Sequence, residues 1–236
     1  MDYTRVDESF RQGLIQDECE SSQWITHQQL DALRVYLQAM NQLIETGKKQ
    51  HVDELQVRAD KLPEHRRDEF WQWNYPCEWD DVIAAQFYES FVVLAFSVLE
   101  RNINLFCRDT GIVAQTKVAL NDLKGSYLER AGVFLQRLVG FQRPTTNTWD
   151  RLQKMYEVRN ALVHYGDYVE PIQLQNRLGE FLRQLKGIKV VQGFVYISLE
   201  FCQEVYDTIQ GCFTELHQEQ RALCRRVNQR VSKITK

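Results

Sequence analysis

The chain has 236 residues, long enough for one large domain or two small ones and for a sizeable buried core. Only four prolines and eleven glycines, set against much Leu, Gln, Glu and Arg, favour helix throughout. A formal charge of −3 excludes attraction of nucleic acid by the protein as a whole, so any RNA site has to be local.

Residues 1–22 read as a polar, acidic N-terminal arm, ordered only by docking. Ser22 or Thr26 can cap a long helix running to about Asp60, with Leu30, Leu33, Leu37, Met40, Ile44 and Leu55 spaced mostly by three and four. Gly47 weakens its middle, where a kink or break is expected, and Pro63 ends it. Arg66 to Trp79 reads as a loop carrying Trp71, Trp73 and Trp79. These rings either pin the connection to the core or, with Arg66, Arg67 and Asn74, form a base-stacking platform.

Asp80 or Asp81 opens a helix to about Arg108, apolar nearly all round, stopped by Asp109-Thr110-Gly111. Glu100, Arg101 and Asn102 are its polar group, either a solvated turn or a source of one useful carboxylate. A turn at Asn121 to Lys124 precedes a helix capped by Ser126 and ending near Val139. Gly140 to Asn147 is a loop. The helix after it is expected to start from a Thr148 cap and to run to a stop at Gly166. Pro171 opens another helix to about Lys186. Two short apolar runs around Gln192-Gly193 predict a β-hairpin, which has to pack on helices to be stable. Ser198 caps the last helix, whose Phe201, Val205, Ile209, Phe213 and Leu216 form a core stripe. The expected architecture is therefore all-α, an antiparallel helical bundle of about five main helices with a small β-hairpin before the last. With no repeat and no clear boundary, residues 23–236 read as a single domain, its core about 80–217, with a basic end at 221–236.

The six cysteines form no CxxC pair and no metal-ligand spacing, which fits a reduced, cytoplasmic protein without metal or cofactor. The N-terminus has no apolar signal core, and Phe91 to Leu99, the most apolar run, is too short to span a bilayer. His27, His51, His65 and His217 are isolated, as surface or hydrogen-bond-satisfied residues are.

The helix Trp149 to Tyr165 carries the chemistry. At about 100° per residue, Trp149, Leu152, Met155, Tyr156, Val158, Leu162 and Val163 share one half of the wheel. Gln153, Glu157, Asn160 and His164 share a narrow sector of the other half. Arg159 points into the apolar half, where a guanidinium has to reach out of the core or meet an anion. Asn160 and His164 stand one turn apart, so both tips can reach one ligand. A fixed cation, an amide and an imidazole around one point suit a phosphodiester. Histidine can give or take a proton near neutral pH, and Arg can hold two phosphate oxygens at once.

Arg159-Asn160-Ala161-Leu162-Val163-His164 resembles the signature of the HEPN superfamily, an Arg, a polar residue, a short spacer and a His near a helix end. Leu123 to Ala131 and Gly193 to Leu199 resemble the flanks found in bacterial HEPN proteins, so the likeness covers about residues 80 to 217. That resemblance implies a metal-independent endoribonuclease leaving a 2′,3′-cyclic phosphate. It implies a homodimer with a composite active site, in toxin–antitoxin, stress or antiviral roles, with an antitoxin or regulatory protein as partner and no membrane. Arg159, His164 and Asn160 are the catalytic candidates, with Glu100, Glu157 and Tyr165 accessory. Arg225, Arg226 and Arg230 either grip RNA phosphates or belong to a frayed, solvated helix end. HEPN toxins controlled by nucleotide transfer carry a Tyr two residues after the His, where this chain has Gly166. A non-catalytic helical module binding a protein or nucleotide, and a purely structural dimer, are the competing expectations.

Overall fold

The computed structural model describes residues 8–141, 146–166, 168–170 and 176–234, with side chains over the same ranges except 8–19, 146, 177, 228 and 230–234. The elements are α1 (Glu8–Ala59), α2 (Arg67–Asn74), α3 (Ala84–Ala114), α4 (Tyr127–Val133), α5 (Thr146–Tyr165), α6 (Arg177–Gln184), β1 (Ile188–Val191), β2 (Phe194–Ile197) and α7 (Leu199–Ile234). The protein is mostly helical, with one antiparallel hairpin before the last helix, as the periodicity indicates.

Several boundaries differ from the sequence expectation. The first helix begins at Glu8, inside the stretch read as a polar arm, and Ser22 and Thr26 are not its caps. Both are buried, and they extend backwards the stripe that continues through Leu30, Leu33, Leu37, Met40 and Ile44. Gly47 neither kinks nor breaks this helix. A side chain there would overlap the indole of Trp79, so the glycine is a slot for that ring. The Trp79 N–H donates to Nδ1 of His51, one turn further on. The stretch from Arg66 to Trp79 is largely helix α2 rather than loop, followed by a π-helical turn, Trp79–Ile83, that leads into α3. Asp109-Thr110-Gly111 does not stop α3, which continues to Ala114. The Thr110 hydroxyl donates to the Phe106 carbonyl one turn back, so the helix keeps its polar groups satisfied there. Thr148 lies inside α5, its hydroxyl donating to Glu215, rather than capping it. The helix start expected at Pro171 falls outside the described residues.

Other local signals hold. Ser126 and Glu129 form a reciprocal capping box, and the helix they open runs through a π-helical segment, Phe134–Val139, to a left-handed Gly140. In the hairpin, Ile188 pairs with Ile197 and Val191 with Phe194, around Gln192 and Gly193, both at positive φ. Two consecutive left-handed residues are what a tight hairpin turn of this hand requires.

The chain divides into two compact units. The first comprises residues 1–32, 95–157 and 205–236. Its core holds Phe96, Leu99, Ile103, Phe106, Leu128, Phe134, Leu152, Met155, Ile209, Phe213 and Leu216, all at most 2% exposed. Asn102 is fully buried within it, donating to the Gln29 side chain and the Val98 carbonyl while its own carbonyl faces the Thr26 hydroxyl at 3.0 Å. Full satisfaction is what makes a buried amide tolerable. The second unit comprises residues 33–94 and 158–204. Phe91, Val92, Val158, Phe181, Val195, Ile197, Phe201 and Cys202 form its core, and the Tyr88 hydroxyl donates to Asn41.

The helical stretch Glu64–Ala114 is long and apolar enough, by length and composition, to cross a membrane, with a mean hydropathy of 1.8 and 39% of that window buried. It passes that test where Phe91 to Leu99 alone falls short. Phe91, Val92, Ala95, Phe96 and Leu99 within it are fully buried.

Candidate functional site

Helix α5 places the sequence candidates. Its buried positions are Trp149, Leu152, Met155, Val158 and Ala161, one every three residues, joined by Leu162. Three residues turn about 300°, so the buried face retreats by about 60° per step and winds around the helix. By the last two turns it has left the arc it began on. Val163, expected to be apolar and inward, is therefore 50% exposed. The same drift explains Arg159, which stands at the edge of the buried face instead of its middle and is only half-buried.

The guanidinium of Arg159 is held locally, its Nη1 donating to Oδ1 of Asn160 at 3.0 Å. Both side chains are half-buried. His164 lies one turn beyond Asn160, exposed, in the last turn of α5. Among the described residues its ring makes no hydrogen bond, and it stands edge-on to Tyr165 with centroids 6.4 Å apart. Gly166 closes the helix with φ +69°, its N–H returning to the Leu162 carbonyl. The structure thus joins Arg159 to Asn160 and leaves the imidazole open to solvent. Glu157, on the same sector, is exposed.

Beside this helix end the chain turns onto the hairpin. Tyr168 bridges Phe194, and Gly193 accepts from the Val169 N–H. A side chain at Gly193 would press on the Tyr168 ring at 2.7 Å, so the close approach needs the glycine. The Tyr168 and Phe194 rings meet edge to face at 5.2 Å. Strand alternation turns Val195 and Ile197 inward and leaves Phe194 and Tyr196 outward, with Lys189 and Val191 as their exposed partners. An exposed aromatic face carrying one lysine results, continuous along the chain with Tyr165 and His164. Sequence reading found the hairpin but not this face, because the alternation alone does not say which side is covered.

Glu100 belongs to the first unit and is not a solvated turn. Its carboxylate accepts from the Tyr156 hydroxyl at 2.8 Å, and its main-chain carbonyl accepts from the Tyr127 hydroxyl. The Tyr156 ring packs edge-on against Phe96, so its polar end is what reaches Glu100. Burial pushes the Tyr127 phenol well above its ordinary pKa and fixes it as a donor. Arg101 is exposed, whereas Asn102 is buried. Arg225 and Arg226 are exposed on α7, which continues as helix to Ile234, and the Arg230 side chain lies outside the described ones. Of the tryptophans, Trp79 is packed on α1, Trp71 is half-buried and Trp73 is exposed.

His217 departs from the sequence expectation most clearly. It is neither a surface residue nor a satisfied one. It is 7% exposed, stacked on Phe213 and tilted against Phe106, and among the described residues its Nε2 has no hydrogen-bond partner. Burial, helped by Arg221 and His27, lowers its pKa to about 4. The signal was present, since Phe201, Val205, Ile209 and Phe213 continue at the same four-residue step into 217.

Neither family models, nor curated proteins, nor solved structures give a match to this chain.

Proposed function

We propose that the protein is a metal-independent endoribonuclease of the HEPN type, with Arg159, Asn160 and His164 as its active residues. The observation that carries this reading is the exposed His164 imidazole, without a hydrogen bond among the described residues, one turn beyond a guanidinium already held by Asn160. The reaction is attack of an RNA 2′-oxygen on the adjacent phosphorus, with breakage of the bond to the 5′-oxygen. The 2′-hydroxyl proton goes to a base and the 5′-oxygen receives a proton from an acid, leaving a 2′,3′-cyclic phosphate and a 5′-hydroxyl. His164 serves one of these transfers. A second copy of His164, in a two-fold dimer, serves the other. Arg159 balances charge developing on the non-bridging oxygens, and Asn160 keeps the guanidinium aimed. The aromatic face at Tyr168, Phe194 and Tyr196 supports an RNA substrate, because unpaired bases stack on exposed rings.

The test is cleavage of end-labelled RNA by the purified protein in EDTA, with the product ends identified. His164→Ala is expected to lower the rate by about 10²–10⁴-fold, the usual worth of a general acid or base. Arg159→Ala is expected to lower it by about 10²–10³-fold. Unchanged circular dichroism in both variants separates catalysis from folding. Cleavage that persists undiminished in either variant overturns the assignment, and wild-type protein inert on every RNA supports a non-catalytic binding module instead.

A further inference from the structure

The first unit contains a cleft of about 200 Å³ between α1 and α7 that uses none of the residues discussed above for RNA cleavage. Gln23 and His27 line it from α1, and Gln210, Phe213, His217 and Arg221 from α7. Among the described residues no carboxylate lines it, in a chain whose net charge is −3. Asp31 lies 3.4 Å from His27 along the same helix.

The lining carries N–H groups of Gln23, Gln210 and Arg221 beside the hydroxyl oxygens of Thr26 and Thr214. Arg221 contributes a fixed positive charge and has one N–H directed at Oε1 of Gln23, at 3.3 Å. That contact occupies the acceptor of Gln23 and leaves its amide N–H groups for other use. The Thr214 hydroxyl, also in the lining, donates to the Gln210 carbonyl at 2.9 Å, and the Thr26 hydroxyl has the Ser22 carbonyl at 2.9 Å and Oδ1 of Asn102 at 3.0 Å as acceptors for its one proton. His217 stands in the wall with its ring fixed by Phe213 and Phe106 and its Nε2 lacking a partner among the described residues. A buried ring nitrogen left so is unfavourable unless something meets it.

We propose that this cleft binds a phosphate group, held by the guanidinium of Arg221, with the amides of Gln23 and Gln210 around it and the His217 ring in its wall. A metal ion is disfavoured by the missing carboxylates. A stacked base is disfavoured because the Phe213 ring is already covered by His217. An arginine fork with donors on two helices fits a group with four oxygens better than a planar carboxylate with two. The cleft volume holds a phosphate with a few waters, each occupying about 30 Å³. Besides burial, the guanidinium of Arg221 opposes a proton on His217, and an anion beside that guanidinium relieves the opposition.

The experiment titrates the full chain with inorganic phosphate and, separately, with adenosine 5′-monophosphate, by calorimetry and by nitrogen-detected spectra of the histidine rings. Saturable binding that shifts the His217 signals is expected. Arg221→Gln is expected to weaken it by about tenfold or more, the loss of a charged two-pronged contact. Arg221 is exposed, so this variant keeps the test valid even where His217→Gln perturbs folding. Tighter binding of the nucleotide identifies a phosphomonoester as the source of the group, and equal or tighter binding of the free ion identifies phosphate itself. Absence of saturation at tens of millimolar, or an affinity unchanged in Arg221→Gln, overturns the proposal. RNA cleavage is not read out at any point, so this result stands or falls apart from the nuclease assignment.

Discussion

A histidine in the middle of an apolar stripe has to be neutral to stay there, and this gives His217 a measurable signature. Its pKa falls from an ordinary 6.5 in the unfolded chain to about 4 in the folded one. The folded state therefore declines a proton that the unfolded state accepts between those values. Stability is highest above pH 6.5 and falls as the pH drops toward 4, by up to about 3 kcal/mol from this residue alone. Urea unfolding across that range should show the slope, and His217→Leu should remove most of it. A slope identical in the variant would assign the acid sensitivity to other groups. At the same scale, Arg159 shows what a wheel cannot tell. Its residue type announced a conflict with the apolar half, but the resolution lies in the drift of the buried face and in the oxygen that Asn160 offers.

Elements test how glycine is used. Gly47 and Gly211 both sit inside long helices, where glycine lacks the stability of alanine. Nothing lies within 4 Å of a side chain built at Gly211, so Gly211→Ala should stabilise the protein by about 0.5–1 kcal/mol. At Gly47 the same change collides with Trp79, and the expected result is a loss of about 1–3 kcal/mol. Opposite shifts of the denaturation midpoint confirm the slot, and stabilisation at both sites denies it. The helix propensity of glycine was legible in the sequence. The indole filling the gap was not, because it arrives from 32 residues further along the chain. The hairpin yields a functional prediction at this scale. Phe194→Ser and Tyr196→Ser project from the outer face, so folding should survive while affinity for single-stranded RNA falls by about tenfold. Affinity unchanged in both would remove the aromatic face from the binding surface.

At the scale of the whole molecule, the proposed cleavage needs an acid and a base while each copy offers one His164, so under that reading the assembly matters. If two copies complete the centre, specific activity should fall on dilution in step with dissociation measured by analytical ultracentrifugation. Activity per chain that stays constant well below the dissociation concentration would place the whole centre in one copy. With an overall charge of −3, the proposed RNA substrate would have to be drawn by local groups, such as Lys189 on the hairpin or Arg225 and Arg226 on α7, and not by a general field.

By itself the sequence determined the helical class, the Ser126 cap, the hairpin around Gln192-Gly193 and the closure of α5 at Gly166. Each of these depends on residues within about one helical turn or on one repeating period, which a single chain displays directly. Tertiary structure alone decided that the helix runs back to Glu8, that Asp109-Thr110-Gly111 continues α3, and that Asn102 is interior. Polar residues of that kind are read as caps, stops or surface by their type. The burial of Asn102 depends on partners brought from a distant segment, Thr26 and Gln29, which no local pattern contains.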